Sequence, residues 1–472
     1  MEPLVSLPAS RFPWVPLASR QCAGTRLCQD ARDTEKFLPQ DVPAAHHESP
    51  RHSLLHRRAV LRLAGLGGAS WLTSVAHLLA RETEQAATQS GSHQPAQSLI
   101  VLWLAGGPSQ LDTFDPHPGQ KISGDTRAIE TAVQGIQLAD GLERVAQQMG
   151  SISLVRSLVS KEGDHQRGTY LVKTGYRPDP TAVHPSIGAI CCHELPAGGT
   201  DIPRHISILP NQWPGRGGFL GDQFDAFKAG DPAHKVADVV PRVSEPRLRD
   251  RLADLEVLEE NFARGRRSAV EATLHRGRVR DARRMMTSEQ LKAFDVSEEP
   301  SALRMAYGDT PFGRGCLAAR RLVEVGVRCV EVTLDGWDSH ANNHETHRRL
   351  KGILDPALAA LVTDLHDREL WDRTIVLCAG EFGRTPSINR LAGRDHWTHG
   401  FSVALAGGRI RGGQAIGQTD PAGGRNVHDP RPIADVHATI LTALGLNPAK
   451  NLISPAGRPL KLSDGRPIEE LL

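Results

Sequence analysis

Short apolar runs alternate with amphipathic segments along the C-terminal half of the chain. The runs are bounded by glycine or by polar residues, which is typical of buried parallel strands. The segments between them repeat apolar residues at helical spacing, and Pro356 in the longest predicts a break or a fresh first turn. The strand-like runs are SLIVLWLAGG (98–107), VRCVEVTL (327–334), TIVLCA (374–379) and FSVALAGG (401–408), and the helix-like segments are 312–326, 345–370 and 433–446. This alternation predicts an α/β fold with a mainly parallel central sheet and helices on both faces.

The middle of the chain has a different pattern. ISLVRSL (152–158) is a further candidate strand, and the Pro- and Gly-rich stretch 196–230 is predicted to consist mainly of loops. Near 245–295 Arg, Glu, Leu and Ala recur at helical spacing, which predicts a helical insertion. Acidic residues alternate there with the arginines, so the segment is an exposed helical region and not a nucleic-acid surface.

The N-terminal part of the chain reads as a leader. Residues 1–50 lack periodicity and are expected to be disordered or to reflect a start codon placed too early. Residues 51–92 carry the pair Arg57 and Arg58 before an apolar Gly- and Ala-rich run, the plan of a twin-arginine signal followed by a spacer. Arg62 inside that run disfavours a permanent membrane span. An ordinary amphipathic helix is the alternative, but export by the twin-arginine machinery to the periplasm or beyond is the expectation.

Composition narrows the functional classes. Charged residues make up 23% of the 472 residues and the formal net charge is +2, so no affinity for nucleic acid or anionic lipid is indicated. The seven cysteines form no CxxC pair and are expected to be mostly buried thiols. The chain also lacks the GxGxxG, P-loop and GxSxG patterns of nucleotide binding and serine hydrolysis.

Acidic residues and histidines cluster directly after three of the predicted strands. Ligands of open parallel sheets bind beyond the carboxyl ends of the strands, so these clusters are expected to meet. A mixture of carboxylates and imidazoles suits Zn²⁺ or Mn²⁺, and Mg²⁺ or Ca²⁺ where carboxylates dominate. Taken alone, each histidine of such a set is more often a surface or helix-capping residue than a ligand. The clusters comprise Ser109, Asp112 and Asp115; Asp335, Asp338, His340, His344 and His347; and Glu381, Arg384, Asp395, His396 and His399.

Several long motifs carry a family resemblance. AGGPSQLDTFDP, GTYLVKTGYRPDP, GEFGRTPSINRLAGRDHW and VALAGGRIRGGQAIGQTD resemble the bacterial, exported family called domain of unknown function 1501, over residues 97–472. That family is similar to a distant branch of the alkaline phosphatase and sulfatase superfamily. The resemblance implies an alkaline-phosphatase-like α/β sandwich, one or two divalent metals at the strand ends, and a nucleophile at the start of a helix.

The resemblance also implies roles for individual residues. Glu381 stands where a metal-binding aspartate is expected, and His396 or His399 where the last histidine ligand is expected. Asp338 and His340 would supply the other acidic and imidazole ligands.

The sequence departs from the superfamily pattern in two respects. Gly106 and Gly107 stand where paired metal-binding aspartates are expected, and Asp112, slightly downstream, is the candidate substitute. His165 stands at the position of the Ser, Thr or Cys nucleophile, where it could be a ligand, a general acid or base, or a nucleophile.

The expected function is an exported metal-dependent hydrolase of phosphate or sulfate esters, in small molecules or polysaccharides. His165 would transfer protons or attack, and Arg384 would pair with the anionic group of the substrate through its planar fork. The alternative is a non-catalytic exported binding or assembly protein on the same scaffold. A structural ion pair between Glu381 and Arg384 is a further reading of that segment.

Overall fold

The computed structural model describes residues 94–266 and 273–472. The expectations for residues 1–50 and 51–92 lie outside the described residues. Within the described ranges, no helix is long and apolar enough to cross a membrane.

A nine-stranded sheet forms the centre of the described chain, in the order β12-β4-β11-β8-β1-β7-β5-β6, with β13 also paired to β4. All pairings in this sheet are parallel except those of β11, which runs antiparallel to both of its neighbours. The sheet strands are β1 (Ser98–Ala105), β4 (Ile152–Val159), β5 (His205–Ile208), β6 (Phe227–Ala229), β7 (Cys329–Asp335), β8 (Thr374–Ala379), β11 (Phe401–Gly407), β12 (Ala415–Ile416) and β13 (Arg431–Pro432). Three two-stranded ribbons pair β2 (Ala128–Glu130) with β3 (Gln137–Ala139), β9 (Gly383–Arg384) with β10 (His396–Trp397), and β14 (Asn451–Ile453) with β15 (Pro459–Lys461).

Helices cover both faces of this sheet. The α-helices of the described residues are α1 (Glu143–Gln147), α2 (His165–Thr174), α3 (Ile187–Glu194), α4 (Glu245–Ala263), α5 (His275–Thr287), α6 (Ser301–Tyr307), α7 (Pro311–Glu324), α8 (Asn343–Asp367) and α9 (Ile433–Ala443). Because side chains alternate along a strand, β1 contributes to two cores. Ile100, Leu102 and Leu104 pack with α1, α7 and α8, whereas Leu99, Val101 and Trp103 pack with α2, α3 and α9.

The α/β sandwich with a mainly parallel sheet is therefore confirmed. The prediction of a break at Pro356 was wrong, because α8 runs through this residue without interruption. An internal proline removes one helical hydrogen bond, but Leu354, Ala357 and Leu358 around it are buried in the core and hold the helix together.

Two further regions complete the comparison with the sequence pattern. The loop-rich stretch 196–230 contributes two sheet strands, β5 and β6, which its pattern did not predict. Helices α4 and α5 occupy the segment predicted to be a helical insertion. That the segment is an insertion in the domain of residues 97–472 remains a prediction.

Candidate metal centre

Three neighbouring strands end at the edge where the candidate site lies. Strands β8, β1 and β7 are adjacent and parallel, so the loops that follow them leave from the same edge of the sheet. The β9–β10 ribbon then pairs His396 with Arg384 and brings the late part of the chain back to this edge. The start of α2 adds His165, whose helix is capped by Asp164.

Three histidines converge on the carboxylate of Asp338. His165 Nε2 lies 3.3 Å from Asp338 Oδ2, and His340 Nε2 and His396 Nε2 lie 3.2 and 3.4 Å from Asp338 Oδ1. The Nε2 atoms of His340 and His396 are 3.0 Å apart. Single ligand atoms of His165, Asp338 and His396 all fall within 4.8 Å of one another. His165, Asp338 and His396 could therefore hold a cation together, and His340 Nε2 lies beside this group.

The opposite ring nitrogen of each histidine is anchored. His165 Nδ1 lies 2.7 Å from Glu381 Oε1, and His340 Nδ1 lies 2.7 Å from Asp395 Oδ1. His396 Nδ1 lies 2.7 Å from the carbonyl oxygen of Gly163. Since each of these partners accepts, the tautomer they select places the proton on Nδ1 and leaves the Nε2 lone pair directed inward. Carboxylates and carbonyls play this part around metal-binding histidines.

The charges at the centre are set by the same contacts. Burial raises the pKa of Asp338, but the hydrogen bond and charge of Arg384 outweigh it and hold that pKa below its usual value. The hydrogen bond to Glu381 raises the pKa of His165, against the opposing effect of burial. Burial lowers the pKa of His396. The carboxylate of Asp338 and the imidazole of His396 are therefore held in their metal-binding forms at neutral pH.

Two buried polar atoms at the centre make no hydrogen bond in the described structure, which bears on whether a cation fits. They are Glu381 Oε2 and His165 Nε2, the latter lying 3.3 Å from Asp338 Oδ2. An unpaired buried polar atom is costly, and a bound cation would satisfy that nitrogen. Asp338 and His340 are 44% and 46% exposed, so the centre is open to solvent on one side. The donor set therefore fits a divalent cation that substrate could reach.

Tight backbone packing explains the glycine at the end of β1. Gly106 has a φ of +113°, and a Cβ atom there would lie 2.4 Å from the backbone nitrogen of Asp338. Its N–H also donates to Glu381 Oε1 at 2.9 Å. An aspartate at this position would push the Asp338 loop away, so Gly106 supports the centre through its backbone. Phe382 adds packing against the rings of His165 and His396, with centroids 5.1 and 4.5 Å away.

Asp112, expected to be a ligand, lies in a different cluster. Its buried carboxylate accepts hydrogen bonds from Arg394 Nε at 3.0 Å and from Asn343 Nδ2 at 2.8 Å, and it also contacts His344 and Thr126. Burial raises its pKa, but the hydrogen bond of His344 and nearby positive charge hold the pKa well below its usual value. Asp112 thus connects the start of α8 with the loop between β9 and β10. Its carboxylate does not lie among the three histidines.

Arg384, expected to bind the substrate anion, is fully buried. Its guanidinium donates to the carbonyls of Gly107 and Arg394 at 2.9 and 3.1 Å, to the carbonyl of Gly106, and to Asp338 Oδ1 at 2.5 Å. Four of its five donors are therefore committed, and its ion pair is with Asp338 rather than Glu381. This geometry suits a residue that holds Asp338 in place.

The sequence did not predict a role for two of the residues that bind the Nδ1 atoms of the histidines, Asp395 and Gly163. Asp395 precedes His396 in the chain, and its pKa is lowered by its hydrogen bond to His340. Its adjacency to a candidate ligand was the available signal. Gly163 acts through a carbonyl, for which a side-chain pattern gives no signal. His399 packs its ring against Trp397, with centroids 5.0 Å apart, and is not among the three converging histidines.

Comparisons with known proteins concern the family and the fold. The family described as "Protein of unknown function (DUF1501)" matches residues 96–472. No curated protein matches the chain. Solved structures with a similar fold include Ps i-CgsB (9% identity, covering 75% of this chain and 73% of that one, TM-score 0.37) and the lipoteichoic acid synthase LtaP from Listeria monocytogenes (10%, 74% and 72%, TM-score 0.36). Alkaline phosphatase from the Antarctic bacterium TAB5 is 12% identical over 75% of this chain and 100% of its own, with a TM-score of 0.32. These likenesses are distant, and the roles of the site residues rest on their own geometry.

Proposed function

Because the chain belongs to the DUF1501 family, whose description assigns no activity, we propose a function from the centre itself. The protein is a metal-dependent hydrolase whose cation is held by His165, His340, His396 and Asp338. One observation carries the proposal: the three Nε2 atoms converge on one carboxylate while each Nδ1 is fixed by a carboxylate or carbonyl.

The donor atoms narrow the choice of metal. Three imidazole nitrogens and one carboxylate favour Zn²⁺ or Mn²⁺, whereas Mg²⁺ and Ca²⁺ prefer sites made mainly of oxygen atoms. When bound, such a cation supplies Lewis-acid polarisation of an ester oxygen and lowers the pKa of water.

The residues around the proposed ligands hold the ligand side chains in fixed orientations. Glu381 and Asp395 fix the rings of His165 and His340 through their Nδ1 atoms. Arg384 donates to Asp338 Oδ1 and holds that carboxylate ionised. His165 is a ligand in this proposal and not a nucleophile, because Glu381 fixes one of its nitrogens and the other faces Asp338. Water, and not a protein group, would then displace the alcohol of the ester, and the proton that water loses would be balanced by the one that the departing alcohol takes up.

The substrate class is proposed on the family resemblance. Phosphate and sulfate esters, in small molecules or polysaccharides, are the candidates. Asp338 and His340 are half-exposed, so the centre is open to solvent on one side. Export through the Arg57–Arg58 leader is part of the same proposal, and detection of the mature chain in a periplasmic or culture fraction tests it.

Metal content and ester turnover of matched variants test the function. The purified protein is stripped with a chelator, titrated with Zn²⁺ and with Mn²⁺, and assayed with an aryl phosphate and an aryl sulfate. The wild type and the control His234→Ala, which alters an exposed histidine, are expected to bind about one equivalent and to hydrolyse at least one ester. Asp338→Ala and His396→Ala are expected to lose both properties.

Two other results would redirect the interpretation. If the folded wild type binds neither cation, the metal centre and the hydrolase proposal are both wrong. If it binds one equivalent but turns over neither ester, while Asp338→Ala loses the cation, a metal-stabilised binding protein is the better description.

A further inference from the structure

A single side-chain amide, that of Asn389, connects two elements of the proposed centre. Its Nδ2 donates to the carbonyl of His340 at 3.0 Å and to Asp395 Oδ1 at 3.2 Å. Its Oδ1 accepts from the N–H groups of Leu391 and Gly393, both at 2.9 Å. An amide has two donor hydrogens and two acceptor lone pairs, so its capacity is completely used.

These four bonds divide into two functions. The acceptor half shapes the local turn, as asparagine commonly does with the N–H two residues later. The donor half reaches outside the turn. It donates to the backbone carbonyl of His340 and to the carboxylate of Asp395, which fixes the His340 ring. Exchanging the nitrogen and oxygen of the amide would leave all four contacts mismatched, so the orientation is determined by its partners.

The turn that carries Asn389 is held firmly against the His340 loop. The carbonyls of Leu391 and Ala392 accept from the N–H groups of Asn342 and Asn343 at 3.1 and 2.8 Å. A Cβ atom on Gly393 would lie 1.9 Å from the carbonyl oxygen of His340, so a larger residue could not be placed there. The two loops therefore act as one unit, and Asn389 provides the side-chain connection between them.

We propose that Asn389 is a positioning residue of the metal centre, fixing His340 through its backbone and through Asp395. This inference rests on the proposed metal-binding function. Residues beyond the direct ligands commonly tune metal affinity by about 10- to 100-fold. Asn389 touches no ligand atom, so its loss is expected to loosen the cation by about tenfold and not to abolish binding.

A serine substitution separates the two halves of the amide. In Asn389→Ser the hydroxyl can still support the turn, but it is too short to reach both His340 and Asp395. Asn447→Ser is the matched control, because Asn447 is exposed and caps a turn through the N–H of Ala449 at 2.9 Å. Each protein is loaded with Co²⁺ for its visible spectrum, titrated with Zn²⁺, and melted in the metal-free form.

The expected result is weaker Zn²⁺ binding by about tenfold and an altered Co²⁺ spectrum for Asn389→Ser, with neither change in Asn447→Ser. A purely structural role would lower the melting temperature and leave the spectrum and affinity unchanged, which overturns the proposal. Asn389→Asp keeps an oxygen that accepts from the N–H groups of the turn, but it places a second negative charge beside Asp395. Its Co²⁺ spectrum must therefore change too. This variant replaces Asn389→Ser in the test if the serine variant does not fold. If the wild type binds no metal, the proposed metal centre itself is wrong. That outcome differs both from a loss of affinity in Asn389→Ser and from a change in its melting temperature alone.

Discussion

At the scale of single residues, a substitution of Glu381 tests whether this carboxylate binds the cation or only fixes the ring of His165. It is buried, and its Oε1 accepts from Gly106 N–H and His165 Nδ1 at 2.9 and 2.7 Å. Glu381→Gln preserves shape and can still accept through its amide oxygen, but it removes the charge that makes His165 a stronger donor to the cation. We expect Zn²⁺ affinity to fall by about 10- to 100-fold with one equivalent still bound at saturation.

Calorimetric titration checks this expectation. The control Glu245→Gln makes the same change at an exposed position at the start of α4 and should leave affinity unchanged. Complete loss of the bound equivalent in Glu381→Gln would mean that the carboxylate coordinates the cation directly, as the family resemblance implied.

The residue scale is also where sequence reasoning was least complete. Asp338 and His340 follow a buried strand within a few residues, so the strand-end rule was sufficient to bring them to one edge. Asp112 also follows a buried strand, β1, yet Arg394 and Asn343 bind its carboxylate in a different cluster. Those partners lie more than 200 positions away along the chain, and one sequence holds no signal that pairs them.

At the scale of elements, one buried ion pair links the helix that carries His165 to the strand that leads to Asp338. Lys173 Nζ, near the end of α2, lies 2.9 Å from Glu331 Oε2 on β7 and also donates to the carbonyl of Trp213 at 2.9 Å. Burial raises the pKa of Glu331, but the charge and hydrogen bond of Lys173, together with His205 and the N–H of Gly215, hold that pKa below its usual value.

Breaking this pair is expected to be costly. Lys173→Met leaves a buried carboxylate without its partner and should lower the free energy of unfolding by about 3 kcal/mol. The double variant Lys173→Met/Glu331→Gln removes both charges and should recover most of that loss. Urea unfolding of the single and double variants measures both values, and equal losses in the two would show that packing, not charge, is responsible.

Elements themselves were predicted well where their pattern is long. The mostly apolar runs that became β1, β7, β8 and β11 were recognised because burial on both faces leaves few polar positions. β5 and β6 were missed because they have only four and three residues within a Pro- and Gly-rich stretch. Pro356 misled because tertiary packing along α8 outweighed a local rule.

At the scale of the whole molecule, buried neutral histidines make stability depend on pH. His437 on α9 lies in the second core, where its Nε2 lies 2.8 Å from the carbonyl oxygen of Val172, and burial lowers its pKa to about 4. His347 on α8 lies on the other side of the sheet, and burial likewise lowers its pKa to about 4. Both side chains titrate near 6.5 in the unfolded chain.

The sign follows from these values. A folded pKa below the unfolded one means that the unfolded chain binds the proton more tightly, so acid favours unfolding. The stability from each histidine is complete above pH 6.5 and is lost progressively as the pH falls from there to about 4. Between pH 7 and pH 5 this amounts to about 2 kcal/mol for each histidine.

The expected outcome is a flatter pH profile for His437→Gln. Glutamine carries no titrating group, so the variant should lose about 2 kcal/mol less than the wild type between pH 7 and pH 5, whatever its stability at pH 7. Denaturant unfolding of the metal-free proteins at both pH values measures the difference, and His234→Gln, at an exposed position, should retain the wild-type slope. An unchanged slope in His437→Gln would show that the ring has the same pKa in the folded and the unfolded chain, and burial would then not be the force that sets its charge.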